Sequence, residues 1–155
     1  MQSSGNTSKT KSSKRETPSF VCEIPLKVST AEEKVLLARL EAARQLYNAC
    51  LGEALKRLKL LQQSRLYQQA RQCQDEYTRR NLLREAKAKY NFKDSALQHY
   101  AVEIRRSWIG EHLDVHVAQK LATRAFRAVH KIMLGKAHKV RFKGKNQLDT
   151  VEGKS

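Results

Sequence analysis

From residue 30 onward the apolar positions return every three or four residues, the interval that stacks side chains on one face of a helix. Leu36, Leu40, Ala43, Tyr47, Cys50 or Leu51, Ala54, Leu58 and Leu61 form the first row. It predicts one amphipathic helix of about nine turns that ends near Gln63. Thr30 and Glu33 stand three apart at its start, the spacing of a capping box, and Gly52 is a weak point within it. A second, sparser row (Leu66, Ala70, Cys73, Tyr77, Leu82, Ala86, Tyr90) predicts a helix over about 65–90. Asn91–Asp94 reads as a turn, with Asp94 or Ser95 as the next N-cap. Leu97, Tyr100 or Ala101, Ile104 and Trp108 predict a third helix over about 95–108 closed by Gly110. Val117, Leu121, Ala125, Ala128 or Val129 and Ile132, with Phe126 and Met133 beside them, predict a fourth over about 114–134. Asp114 is its cap and Gly135 its C-terminal stop.

Two segments follow a different period. In 18–28, Phe20, Cys22, Ile24, Leu26 and Val28 alternate with Val21, Glu23, Pro25 and Lys27, the pattern of a strand with one buried face. Pro25 cannot donate to a ladder, so this strand belongs at an edge or is bulged there. Val140-Arg141-Phe142-Lys143 alternates as a short basic strand, with Phe142 either stacking on a base or, as the alternation favours, entering a core. The tail 144–155 has turn chemistry and no core. Residues 1–17 are Ser, Thr, Lys and Gly without periodicity and read as a disordered basic tail, either a weak nucleic-acid contact or a solvated leader. The expected fold is mainly α: about four helices flanked by short β-strands. Strands this far apart either pair with each other or belong to something larger of which this chain is a piece.

Charge sharpens this picture. The 155 residues hold 31 Lys and Arg against 15 Asp and Glu, a formal net charge of +16. Such a chain attracts polyanions. The excess is concentrated late: over 115–148, Lys120, Arg124, Arg127, Lys131, Lys136, Lys139, Arg141, Lys143 and Lys145 stand without a single acid. A basic block lacking compensating carboxylates is the footprint of a phosphate-binding surface, and the alternative is a solvated face. Lys120, Arg124, Arg127 and Lys131 step by four, three and four, so they share one helical face. Gly135-Lys136 and Gly144-Lys145 add backbone that can approach phosphate closely. No apolar run approaches the length of a membrane span.

Little else carries chemistry. Cys22, Cys50 and Cys73 are odd in number and widely spaced, without the C-x-x-C of a zinc or redox site, as in a reducing compartment. Cys50 lies on an apolar row and reads as a small buried hydrophobe rather than a reactive thiol. His112 and His116 are four apart, but Leu113 stands where a zinc protease has glutamate and no third ligand is near. Asp75-Glu76, Glu111 and Asp114 make no carboxylate trio, and there is no phosphate loop or nucleophile elbow. No catalytic residue, metal ligand or cofactor is assigned to this chain.

Three places resemble the N-terminal part of the TnpB-type proteins of insertion sequences, transposases related to type V CRISPR effector nucleases. Arg44-Gln45-Leu46-Tyr47-Asn48-Ala49-Cys50-Leu51 is similar to the family's early Arg-x-x-Tyr-Asn helix. Val117–Phe126, with Ala118-Gln119-Lys120 and Arg124-Ala125-Phe126, resembles its later helix. Gly135 to Arg141-Phe142-Lys143-Gly144-Lys145 resembles its Gly…Pro-Arg-Phe-Lys segment, with Val140 in place of the proline, and Thr150–Lys154 resembles the start of the next strand. The resemblance covers about 20–155. It implies a wedge-type barrel, incomplete here, with its first strand in 18–28, a helical recognition bundle in 29–135, and a basic strand and truncated continuation of the wedge in 136–155. It also implies binding of guide RNA and DNA in a prokaryotic cytoplasm, at the nucleoid, with a separate C-terminal nuclease portion as partner. The family's metal-dependent endonuclease activity comes with acids that fall on no residue here. The competing expectation is a free-standing basic helical interaction protein with no nuclease relationship.

Overall fold

Ser29, not Thr30, opens the first helix. The computed structural model describes residue 18 and residues 20–153, so the expected tail over 1–17 lies outside the described residues. The Ser29 side chain accepts from the Glu32 N–H, and the Glu32 carboxylate accepts from the Ser29 N–H at 2.7 Å. Ser29…Glu32 and Thr30…Glu33 are overlapping boxes one residue apart, and the chain uses the earlier one. Helix α1 then runs Thr30–Gln63, its end where the periodicity placed it.

Ser64 closes α1 and caps α2, Arg65–Gln72. The single second helix expected over 65–90 is two. The chain turns at 73–75, and the Asp75 carboxylate caps α3, Glu76–Lys89, through the Thr78 N–H at 2.9 Å. Asn91, at φ 52°, ends α3 in a Schellman turn in which Phe92 N–H donates to Lys87 O at 2.9 Å. Helix α4, Asp94–Arg105, has Lys93 at its N-cap without a side-chain cap; the Asp94 carboxylate instead accepts from the Thr123 hydroxyl at 2.7 Å. A 3-10 turn over Trp108–Glu111 follows. Gly110 serves that turn, because a Cβ there would fall 2.4 Å from the Arg105 carbonyl oxygen. Asp114 caps α5, Val115–Met133, as expected. Gly135, at φ 70°, closes it, with Lys136 N–H donating to Lys131 O at 2.8 Å.

Helices α1, α4 and α5 pack on one another around Leu46, Cys50, Leu51, Leu61, Leu97, Leu121 and Val129. The buried face of α5 is Ala118, Leu121, Ala122, Ala125 and Val129, rotated slightly from the expected seam so that small residues let α1 and α4 approach. Helices α2 and α3 pack mainly on each other and bury one alanine apiece, Ala70 and Ala86.

No described residue lies in a β-strand, which overturns the expected flanking strands and with them the wedge-type barrel. The alternation in 18–28 is present in sequence, but Phe20 is 90% and Val21 91% exposed, so neither face is buried. A strand takes its stability from a paired neighbour and a covered face, and this segment has neither. At 140–143, Val140 is partly buried against the core while Phe142 is 52% exposed, so the core placement expected for Phe142 is also overturned. Conversely, Leu148 is only 3% exposed, so the stretch read as coreless contributes to the core. Among the described residues no helix is long and apolar enough to cross a membrane.

Candidate nucleic-acid interface

The face of α5 opposite its alanine-rich seam carries Lys120, Arg124, Arg127 and Lys131, and all four line one open cleft of about 580 Å³. Tyr47 of α1, Leu121, Thr123 and Ala128 of α5, and Thr150, Val151 and Glu152 complete its lining. The four cations sit on a helix whose other face is locked into the core, so their spacing is set by the backbone rather than by loop motion.

The Arg124 guanidinium lies 5.4 Å from the Tyr47 ring centroid, a cation–π contact, and donates from Nη1 to both the carbonyl and hydroxyl oxygens of Thr150 at 3.4 Å. Burial pushes the Tyr47 hydroxyl above its ordinary pKa, with Arg124 opposing it, so Tyr47 stays neutral at physiological pH. Lys120 meets the Glu152 carboxylate at 3.7 Å, the one carboxylate that reaches the row among the described ion pairs. That pair is exposed and screened.

The remaining five expected contacts do not line the cleft. Lys136 is exposed beyond the Gly135 turn; Lys139, Arg141 and Lys145 are exposed along an irregular segment. Lys143 is half-buried because its backbone is pinned. The Asn48 side chain donates to Lys143 O and accepts from Lys143 N–H, both at 2.8 Å, and Arg44 Nη1 adds a third bond to Lys143 O at 3.1 Å. Arg44 is aimed by Glu41, whose carboxylate accepts from Nη2 at 2.6 Å and Nε at 2.9 Å. Bonds from Arg44 first, then Gln45, hold the Glu41 carboxyl down at about 2.

Arg44, Tyr47 and Asn48 are thus positioning residues for the basic region, a role that helical periodicity alone did not assign them. They are one turn apart on α1, and that spacing was the available signal.

Cys50 is fully buried and its thiol is pushed up to about 12 by burial, so it packs as a hydrophobe. Cys73 is the C-cap of α2. His112 packs edge-on to Trp108 at 5.6 Å, and among the described residues no group of three or more His, Cys, Asp or Glu could hold a metal ion. No family model matches the chain, and none of the curated proteins or solved structures compared with it matches.

Proposed function

We propose that this chain binds nucleic acid through the exposed face of α5, as the nucleic-acid-binding N-terminal portion of a TnpB-like, RNA-guided DNA endonuclease acting in a prokaryotic cytoplasm. The observation that carries the first half is the convergence of Lys120, Arg124, Arg127 and Lys131 on one cleft. Four cations on a fixed face attract a phosphate backbone without reading its bases. Its relationship to the TnpB-type proteins draws support from the motif residues Arg44, Tyr47 and Asn48, which meet the two basic segments that carry the rest of the resemblance. Catalysis is assigned to no residue of this chain.

Binding of a structured RNA or a DNA duplex, followed by fluorescence anisotropy, tests the reading. Four phosphate contacts predict an affinity loss of roughly 50- to 150-fold between about 50 and 200 mM salt. Arg124→Ala with Arg127→Ala should weaken all sequences alike and flatten the salt slope by about 2. Affinity that barely responds to salt overturns the proposal.

A second reading, a helical interaction protein, draws on the apolar side chains exposed at Phe20, Val21, Ile24 and Leu26 and on Val35, Leu36 and Leu37 of α1. It predicts salt-insensitive association with a protein partner.

A further inference from the structure

The cationic row does not stop at the end of α5. We propose that it continues onto α3, where Tyr77, Arg80, Arg84 and Lys87 form a second stripe that takes an unpaired, single-stranded extension of the same nucleic acid. The inference rests on the reading of α5 as a phosphate-binding face.

These four residues step by three, four and three, so they lie along one side of α3. Tyr77 heads the stripe and is 75% exposed, a large ring left open among the described residues. Arg80 and Arg84 are exposed, and Lys87 is half-buried at the α5 end. Arg80 shares its charge with Glu76 at 2.6 Å, whereas Arg84 bonds the neutral amide of Asn81. Among the described residues no carboxylate is in ion-pair contact with Arg84 or Lys87.

The C-terminal end of α3 is tied to α5 through a ring cluster. Lys87 O accepts from Phe92 N–H, and the Phe92 ring lies 5.0 Å from Phe126 and 6.2 Å from His130, both on α5. His130 stacks on Phe126 at 5.4 Å, and Arg127 is its neighbour one turn back. Burial first, then the charges of Lys87 and Lys136, holds the His130 imidazole below its usual pKa. Each stripe is roughly 15 Å long at 1.5 Å per residue, so together they outrun a few nucleotides.

The aromatic head decides the ligand. Phosphate contacts alone accept a duplex, but a tyrosine face stacks only on a base whose own face is free, as in a loop or single strand. Each base can offer that face, so the stripe is tolerant of sequence. The α5 face binds backbone whether paired or not, and α3 adds affinity only where unpaired nucleotides follow.

Anisotropy with a blunt RNA hairpin and with the same hairpin carrying an unpaired tail tests this. The tail should raise wild-type affinity by about tenfold. Arg84→Gln with Lys87→Gln, which preserves helix propensity, should abolish that gain and leave the blunt hairpin unaffected. Tyr77→Ala should lose most of the gain and Tyr77→Phe should keep it. A tail that adds nothing, or a double variant that still gains from it, overturns the α3 stripe. If the blunt hairpin then still binds through Arg124 and Arg127, the α5 reading stands; if wild-type protein shows no salt-dependent binding to it, both fall.

Discussion

The α1–α4–α5 bundle and the α2–α3 hairpin both present lysines and arginines, yet they are held together by different means. The bundle buries Leu46, Leu51, Leu97, Leu121 and Val129 in one contiguous core. The hairpin adds only Ala86 to that core and packs Leu66 and Tyr67 partly buried against it, with caps at Ser64 and Asp75 and the Phe92 turn closing its ends. Burial of large side chains is what makes local opening costly. The cations of α5 therefore ride on a rigid frame, while those of α3 ride on one that opens more readily. A rigid row suits a regular phosphate backbone, and a yielding one suits an irregular single strand.

Substitutions should separate the two regions. Leu46→Ala, at the centre of the bundle, should cost about 2–5 kcal/mol of global stability in urea unfolding. Asn48→Ala removes two bonds to the Lys143 backbone and should cost about 1–3 kcal/mol. Its signature is faster amide exchange over 143–148 with the α1–α4–α5 amides still protected.

Ala86→Gly should cost about 1 kcal/mol and should speed exchange in α2 and α3 alone. A loss as large and as global as that of Leu46→Ala would break the comparison, because it would show that the hairpin does not open separately from the bundle. Glu152→Gln removes the carboxylate beside Lys120 and should raise RNA affinity by a few-fold at low salt, the modest return expected of an exposed pair. An unchanged affinity would show that Lys120 does not contact the ligand.

The smallest effect concerns pH. The Glu41 carboxyl is held below its unfolded value near 4.5, at about 2 in the fold. Its contribution to aiming Arg44 is present above about 4.5 and fades as pH falls toward 2, the sign expected of a depressed carboxylate. Carboxyl carbon chemical shifts should titrate Glu41 near 2; a midpoint at the ordinary value would mean the Glu41–Arg44 contact is not made in solution.

Much of the helical plan was legible because it depends on local chemistry. The end of α1 at Gln63, the Asp114 cap and the Gly135 stop follow from periodicity and from residues that satisfy helix ends. The shared face of Lys120, Arg124, Arg127 and Lys131 follows from helical geometry alone. The break at 73–75 was hidden, because Ala70, Cys73 and Tyr77 keep the three-and-four rhythm across it; the Asp75…Thr78 cap was its only sign. Pairing of Phe20–Val28 and Val140–Lys143 could not be read at all, since alternation states a preference for a covered face without supplying one.

By itself the sequence determined most of the helix ends, which face of α5 is charged, and that no acid stands within 115–148, because each of these depends on spacing along one chain. Only the tertiary structure decided that Asn48 and Arg44 clamp Lys143 across nearly a hundred residues, that Tyr47 and Thr150 share the cleft with Arg124, and that two strand-like segments remain unpaired. Those outcomes depend on which surfaces meet, and the free energy of that meeting belongs to pairs of distant segments rather than to either one.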